Sequence, residues 1–499
     1  MEIRSLLENG EITSEELCEV YIERINTYDK DGIKLNSVIF LNTSATEQAK
    51  ILDAERKAGK TRGALHGIPI LVKDNIDVAG FPTTLGKKSD VFEPKAEDAE
   101  AVKKLVDAGA IILGKTNLST GDLNSRYTLS SIIGQTLNVF NTDYSSGGSS
   151  GGSAVSVAAS FAAASLATDT NSSLISPASL NGVVAFRPTH DTVSYVGCEN
   201  IVKARDTVGP VTKTVSDSAL MMEVLTGQKD FVSSLKKDAL KGKTVAILKE
   251  LYTYTYNSPN EFKNTDKEIV VLFDKAVEDI KGAGANVVTI SIPSIFKYAT
   301  SCRESLSTSS SAKQNFLNDL NSELTKNNAD IVIFPSYLSA PLTSKYDKSG
   351  KLIADSQNYL NCTGYLPSVL GLPAVTVPMG YHSSGVAAGI EMVGLKNTDK
   401  QLLSYAYSFE QLTAHSKLSD LVPNLYKESA PQNPPQIEDT VSEENELQNS
   451  PAAPTEKQKS ESVWVMILSS IMLIAVCVWV LYFSIKTKGK KDGKTHRNF

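Results

Sequence analysis

The sequence predicts an α/β fold with a largely parallel or mixed β-sheet, on three observations. Short apolar stretches with strand periodicity alternate with helical stretches along the chain, which is typical of this fold class. The 499 residues, 41% of them hydrophobic, are enough to bury one large core or two domains of ordinary size. Residues 145–152 are only Ser and Gly and lead directly into small apolar residues, so this run indicates a structured loop and not a flexible linker.

The elements near the N-terminus follow from periodicity and capping. Residues 2–28 have helical periodicity, and Thr13 followed by Glu16 forms a capping box for the second of two helices. The same patterns predict a strand at 36–42, a helix at 44–59, a strand at 68–72, a helix at 97–108 and a strand at 110–113. The strand at 68–72 leads directly into Lys73.

The rest of the globular part continues the alternation. Residues 151–167 are rich in Ala, Ser and Val and predict a buried helix that starts just after the Gly/Ser run. Further elements are predicted as strands at 183–185 and 192–195, a helix at 216–225, a strand at 244–248, a helix at 266–283, strands at 286–292, 330–334 and 371–380, and a helix at 402–412. Residues 421–426 are expected to end the globular part.

Composition and charge exclude several classes of partner. A formal net charge of −6 and a pI near 5.6 offer no basic surface to a nucleic-acid backbone, so no nucleic-acid partner is expected. The five cysteines are scattered without a CxxC pair, and the five histidines have no HExxH or other ligand spacing. Neither a disulfide framework nor a metal site is indicated.

The C-terminal segment differs from the rest of the chain. Residues 427–462 are dense in Pro, Glu, Gln, Asn and Ser and predict a disordered stalk. Residues 463–485 form an uncharged, mostly apolar run, which as a helix is about 35 Å long and can cross a bilayer. Trp464, Trp479 and Tyr482 lie near its ends, where amphipathic rings favour the membrane interface. The sequence thus predicts one transmembrane helix in contact with the lipid bilayer.

The tail at 486–499 is basic, whereas only Lys457 and Lys459 lie close before the predicted span. The positive-inside rule therefore favours a cytoplasmic C-terminal tail and a large domain on the other side. The N-terminal residues, however, have the pattern of a domain helix pair and not of a signal peptide. Two hypotheses stay open: an export signal precedes this sequence in the full gene product, or the domain stays inside as a tail-anchored protein.

Three side chains are candidates for serine-hydrolase chemistry. A lysine can act as a base at neutral pH only where burial or a neighbouring positive charge lowers its pKa, and Lys73 follows an apolar run. Ser149 lies in the Gly/Ser run, whose backbone N–H groups could stabilise a tetrahedral intermediate, and Ser173 lies 24 positions further along the chain. The alternatives are a structural lysine paired with Asp74 or Asp77, and a phosphate-binding loop, although the GK[ST] and GxGxxG patterns are missing.

Several long segments in family order resemble the amidase signature family, over nearly all of residues 1–413. The matching segments are GALHGIPILVKDNI at 63–76, AGAIILGKTN at 108–117, GGSSGGSA at 147–154, DTNSSLISPAS at 169–179, RPT at 187–189, DTVGPVTKTVSD at 206–217 and GLPAVTVPMG at 371–380. The resemblance implies an amidase-signature α/β fold with a mixed sheet sandwiched by helices. It also implies hydrolysis of a carbon–nitrogen amide bond by a Ser-cisSer-Lys triad.

Site roles follow from the resemblance, position by position. Lys73 corresponds to the catalytic lysine, Ser149 to the bridging serine after a cis peptide, and Ser173 to the nucleophile that forms the acyl-enzyme. The backbone N–H groups of the loop would form the oxyanion hole, a set that comprises Thr170, Asn171, Ser172 and Ser173. The implied mechanism needs no metal and no organic cofactor.

The chain departs from the family beside the nucleophile. The family usually has Gly-Gly-Ser-Ile-Arg where this chain has Asn171, Ser172, Ser173, Leu174 and Ile175. If a position here needs φ above zero, Asn adopts it more readily than Ser, and Ile175 removes a charge anchor. Two alternatives therefore stay open beside a working amide hydrolase: a catalytically impaired, membrane-tethered binding protein, and a glutamyl-tRNA amidotransferase A-like subunit.

The sequence predicts the following organisation: an amidase signature domain at 1–426, the stalk at 427–462, the transmembrane helix at 463–485 and the basic tail at 486–499. The expected substrate is a small-molecule amide. Its identity is not readable, because the segment that tends to shape the acyl pocket in this family, at about 225–344, has no recognisable match. A homodimer is left open.

Overall fold

The computed structural model describes residues 1–90, 93–120, 126–199, 201–252, 265–295, 310–338 and 363–425. Contacts divide the chain into two units, Met1–Pro423 and Asn424–Phe499. The predicted stalk, transmembrane helix and basic tail, at 427–499, lie outside the described residues. Within the described ranges, no helix is both long enough and apolar enough to cross a membrane.

The strands are spread over the whole first unit. They are β1 (Val38–Leu41), β2 (Pro69–Lys73), β3 (Ile111–Thr116), β4 (Leu129–Ser130), β5 (Gly134–Gln135), β6 (Ala164–Asp169), β7 (Val184–Arg187), β8 (Thr207–Thr212), β9 (Thr244–Leu248), β10 (Asn286–Ile290), β11 (Ile331–Pro335), β12 (Ala374–Tyr381) and β13 (Ala387–Val393).

Helices occupy most of the connections between these strands. They are α1 (Glu2–Glu8), α2 (Ser14–Arg24), α3 (Ala45–Lys57), α4 (Glu100–Asp107), α5 (Gly151–Ala158), α6 (Ile175–Leu180), α7 (Val215–Thr226), α8 (Lys267–Gly282), α9 (Ser310–Lys326), α10 (Tyr365–Leu370) and α11 (Asp399–Thr413). The predicted capping box of α2 is present, because the Thr13 side chain accepts from the Glu16 N–H and the Glu16 side chain accepts from the Thr13 N–H.

Eleven strands form one mixed sheet in the order β1-β3-β2-β6-β8-β7-β12-β13-β11-β9-β10. β2 pairs in parallel with both β3 and β6, β9 pairs in parallel with β10 and β11, and the other neighbours are antiparallel. The predicted α/β class with a mixed sheet is confirmed. The carboxyl ends of β2 and β6 lie side by side; β2 ends at Lys73, and the segment that contains Ser173 follows β6.

Two element predictions are wrong. The helix predicted at 151–167 ends at Ala158, and β6 begins at Ala164 after a turn in which Ser160 has φ 57°. β6 is buried along its whole length, so no alternation of polar and apolar residues reveals it as a strand. Residues 192–195, predicted as a strand, form a bend and irregular structure. The sequence prediction also missed the strands β4, β5, β8 and β13 and the short helices α6 and α10.

The Gly/Ser run is packed as closely as its composition suggests. Every residue of α5 is buried, and a Cβ on Gly152 would lie 2.4 Å from the carbonyl oxygen and 2.5 Å from the nitrogen of Asn117. No side chain fits there, so Gly152 is required for α5 to approach the end of β3. This contact fixes the loop that carries Ser149.

Candidate active site

The three predicted site residues come together at the carboxyl ends of β2 and β6. Lys73 Nζ lies 2.8 Å from Ser149 Oγ, and Ser149 Oγ lies 3.0 Å from Ser173 Oγ. Lys73 and Ser149 are fully buried, and Ser173 is 5% exposed. The peptide bond between Gly148 and Ser149 is cis. A continuous row of hydrogen-bonding groups therefore joins the buried Lys73 amine, through Ser149, to the Ser173 hydroxyl.

Lys73 is positioned by a further contact that the sequence analysis missed. Its Nζ donates to Thr168 Oγ1 at 2.9 Å, and Asn75 Nδ2 donates to the same oxygen at 3.0 Å. Thr168 lies in β6, the strand beside Lys73. A neutral amine has one lone pair, and with an N–H given to Thr168 that lone pair is available to Ser149.

The two carboxylates that the sequence offers as partners of Lys73 have other partners. Asp74 Oδ1 lies 3.7 Å from Lys115 Nζ, and both side chains are fully buried. Asp77 Oδ1 lies 3.3 Å from Lys95 Nζ. Burial raises the pKa of Asp74 and lowers the pKa of Lys115 to about 8. These contacts favour the catalytic interpretation of Lys73 over the structural one.

A buried ion pair holds the loop that carries Ser173. The Asp169 carboxylate accepts from the N–H groups of Ser172, at 3.2 Å, and Leu174, at 2.8 Å. Arg187 Nη1 donates to Asp169 Oδ1 at 2.8 Å, and neither side chain is exposed. Ser368 from α10 also donates its hydroxyl to Asp169. Asp169 and Arg187 lie in segments that match the family, but no sequence pattern indicates that they form a pair.

The predicted oxyanion hole needs one correction. The Ser172 N–H already donates to Asp169 Oδ1 and, at 3.1 Å, to Ser368 Oγ. It is therefore not available to a substrate oxygen in this arrangement. The N–H groups of Thr170, Asn171 and Ser173 meet no acceptor in the described part of the chain, which leaves these three as candidate donors.

Ser172 is the loop residue with left-handed backbone geometry, at φ 74°. Asn171, which would adopt a positive φ more readily, does not have one. The position with positive φ is therefore occupied by the less suitable residue, Ser172. A left-handed conformation costs a residue with a Cβ about 1–2 kcal/mol. We expect Ser172→Gly to raise the free energy of unfolding by about 1 kcal/mol, measured by denaturant unfolding. Asn171→Gly is the matched control, and an equal gain there would contradict this explanation.

Ile175 begins α6 at the position where the resembled family has Arg. It is fully buried in an apolar cluster that includes Phe334, Leu366 and Ala374. No charge is present at this position. The loop nevertheless has a buried cation nearby, because Arg187, the last residue of β7, neutralises Asp169.

Glu391 is a buried carboxyl group close to this ion pair. The Thr363 hydroxyl lies 2.7 Å from the Pro335 carbonyl oxygen and 3.2 Å from Glu391 Oε2. The carbonyl can only accept, so it takes the single hydroxyl proton, and the Glu391 contact is a full hydrogen bond only if Glu391 donates. Oε1 has no hydrogen-bond partner within the ranges that the structure describes. Burial, with the nearby Asp169 charge, raises the pKa of Glu391 well above 4.5.

We expect Glu391→Gln to stabilise the protein at pH 7, because the amide replaces a buried acid. The folded pKa is raised, so stability from this group is complete below about pH 4.5 and falls as the pH rises towards the folded pKa. The Tm difference between variant and wild type should therefore be larger at pH 7 than at pH 4.5, as measured by calorimetry. A difference independent of pH would show that the pKa of Glu391 is not raised.

Comparison with known proteins gives the same family at the level of sequence and fold. The family model described as Amidase matches residues 16–328. A glutamyl-tRNA(Gln) amidotransferase subunit from Synechococcus sp. is 27% identical over 82% of this chain and 95% of its own. The corresponding subunit from Desulforapulum autotrophicum is 37% identical over 58% of this chain and 60% of its own.

Solved structures are similar over most of the chain. The native peptide amidase from Stenotrophomonas maltophilia has a TM-score of 0.72 at 26% identity, with coverage of 84% of this chain and 97% of its own. An amidase family protein from Bacillus anthracis has a TM-score of 0.68 at 26% identity, with coverage of 84% and 91%. The resemblance inferred from the motifs is confirmed. The chain therefore belongs to the amidase family and is an amidase-signature hydrolase of carbon–nitrogen bonds.

Proposed function

We propose that this enzyme cleaves a small-molecule amide through a covalent acyl-enzyme at Ser173, with Ser149 and Lys73 as the proton relay. The observation that carries the proposal is the unbroken row of contacts at 2.8 and 3.0 Å between the buried amine and the two hydroxyls. A serine hydroxyl becomes an effective nucleophile when a base removes its proton.

The first half of the reaction forms the acyl-enzyme. Burial of Lys73 away from water favours its uncharged form, which accepts the Ser149 proton while Ser149 accepts the proton of Ser173. Ser173 Oγ bonds to the amide carbonyl carbon, and the oxyanion accepts hydrogen bonds from loop N–H groups, for which Thr170, Asn171 and Ser173 are candidates. The relay then returns the proton to the leaving nitrogen, and the carbon–nitrogen bond breaks.

The second half releases the product. Water takes the place of the amine, gives its proton through Ser149 to Lys73, and attacks the acyl carbon. The relay returns that proton to Ser173 Oγ as the carbon–oxygen bond to the enzyme breaks. A carboxylic acid leaves, and the three side chains are back in their starting states.

Labelling with a fluorophosphonate probe tests the proposal, because such probes trap activated serines. We expect an adduct on Ser173 in the wild type and none in Ser173→Ala or Lys73→Ala. Ser172→Ala is the matched control for a neighbouring serine and should retain the label. A folded wild type without any label would favour the catalytically impaired binding protein.

Amide transfer is the second candidate, since the relatives with the glutamyl-tRNA(Gln) amidotransferase name cover most of this chain. The ammonia released at this site would then be transferred to an acceptor and would not escape into solution. Measurement of amide hydrolysis by the purified protein alone and by the protein with charged tRNA separates the hydrolase from the amide-transferring subunit. Hydrolysis of amides without tRNA or partner proteins supports the hydrolase.

We also propose that residues 463–485 anchor the enzyme in a membrane, with the basic tail at 486–499 on the cytoplasmic side. The apolar run and the flanking charges support this proposal. Extraction of the full chain by detergent but not by carbonate would agree with it. Protease digestion of the 427–462 stalk in intact cells would place the domain outside, and protection would place it inside.

A further inference from the structure

We propose that Arg205 determines substrate specificity by binding a carboxylate carried by the amide substrate. The inference rests on the proposed hydrolysis at Ser173 and adds a substrate class to it. Arg205 precedes β8 and was not singled out by the sequence analysis. Its side chain combines deep burial with missing partners, and its backbone lies beside the nucleophile loop.

Arg205 is 4% exposed, yet its Nε and Nη1 atoms have no hydrogen-bond partner in the part of the chain that the structure describes. An unpaired buried charge is costly, so buried guanidinium groups are normally paired or hydrogen-bonded. Two others in this protein follow that rule. Arg24 donates to four carbonyl oxygens, and Arg187 is paired with Asp169. Arg205 therefore has unused capacity for an anion.

Arg205 lies next to the loop that carries Ser173. The antiparallel ladder between β6 and β8 ends with Asp169 opposite Thr207. Just beyond it, Arg187 donates to the Asp169 carbonyl at 3.0 Å and to the Arg205 carbonyl at 2.7 Å. One guanidinium thus ties the start of the nucleophile loop to Arg205. Burial lowers the pKa of Arg187, and the nearby charge of Arg205 acts in the same direction.

The nucleophile loop itself contains a second buried atom without a partner in the described part of the chain. Thr170, in the nucleophile loop, is 5% exposed, and its hydroxyl meets no partner among the described residues. A carboxylate has two oxygens that accept hydrogen bonds, and a guanidinium binds them side by side. An anionic group between the loop and β8 would supply acceptors for both Arg205 and Thr170.

Asp206 is the carboxylate adjacent to Arg205 in the chain, and only one of its two oxygens has a hydrogen-bond partner within the described ranges. Its Oδ2 accepts from the N–H groups of Ile201, at 2.7 Å, and Val202, at 2.8 Å. Within the described ranges it forms no ion pair with Arg205. Asp169 is likewise committed to Arg187. Neither carboxylate therefore neutralises Arg205 at ion-pair distance.

Matched substrates test the proposal. We would measure kcat/KM for succinamate, glutaramate and adipamate, each of which has an amide and a carboxylate, and for the corresponding neutral diamides. In the wild type, at least one amide-carboxylate should be preferred over its diamide by roughly 10- to 100-fold, the range expected for hydrogen bonds to a charged group. In Arg205→Gln that ratio should fall to about one. An unchanged ratio would overturn the proposal.

A binding measurement separates this proposal from the proposed function. In Ser173→Ala, which cannot form an acyl-enzyme, succinate, glutarate or adipate should raise Tm, and the added Arg205→Gln substitution should abolish the rise. That result would support the anion site even if no amide were hydrolysed. No rise with any of the three, or an equal rise in Arg205→Gln, would overturn it. Strong destabilisation of ligand-free Arg205→Gln would assign Arg205 a structural role instead.

Discussion

Lys73→Met should lower kcat/KM for amide hydrolysis by about 10⁴-fold or more, because both serines lose the base that activates them. Methionine has a similar length and no charge, so it fills the buried space without restoring the relay. The same substitution should abolish fluorophosphonate labelling of Ser173. Thermal unfolding would show that the variant is folded.

Lys213→Met is the matched control for this variant. Lys213 is half-buried, and burial lowers its pKa to about 8; its Nζ donates to the hydroxyl of Ser160. It thus forms a lysine–serine pair remote from the row of Lys73, Ser149 and Ser173. Activity should persist in Lys213→Met. Activity of Lys73→Met within tenfold of the wild type would refute the relay.

Asp169→Asn should lower the free energy of unfolding by about 3–5 kcal/mol, the cost of leaving a buried charge unpaired. Arg187 is fully buried and would lose its counter-ion. The amide nitrogen of Asn cannot accept from Ser172 or Leu174, so the nucleophile loop would also lose an anchor. Urea unfolding measures the first effect, and fluorophosphonate labelling of Ser173 measures the second.

Two variants control for this interpretation. Glu278→Gln removes an exposed ion pair with Lys281 and should cost at most about 1 kcal/mol. The double variant Asp169→Asn with Arg187→Met should be less destabilised than the two single effects added together, because no charge remains unpaired. Strict additivity would mean that the Asp169–Arg187 pair is not the source of the effect.

The sequence predicted the α/β class and most of the strands and helices, because their periodicities are local properties. It failed where a strand has no periodicity to show. β6 is buried along its length and consists of small residues, so it resembled a continuation of α5. β8 contains Gly209 and Pro210, which look like a turn, although Pro210 lies opposite Leu166 inside the sheet. Only neighbours that are distant in sequence define these two strands.

The reactive side chains of the site could be predicted from the sequence, but the contacts that hold them could not. Motifs were sufficient to name Lys73, Ser149 and Ser173, and the folded chain brings these three side chains within hydrogen-bond distance of one another. Asp169, Arg187 and Ser368 could not be paired, because they come from β6, β7 and α10 and meet only in the folded chain. The left-handed conformation of Ser172 is likewise set by this packing. From the sequence alone, Asn171 would be expected to adopt it, because Asn tolerates positive φ better than Ser.

The contact between Ser368 and Asp169 means that the reactive serine is held from near the end of the domain. Lys73, Ser149 and Ser173 are all made before residue 174, yet the hydroxyl that anchors the loop of Ser173 through Asp169 is added nearly two hundred positions later. Synthesis proceeds from the N-terminus. The nascent chain on the ribosome therefore contains Lys73, Ser149 and Ser173 long before it contains the Ser368 hydroxyl that holds Asp169.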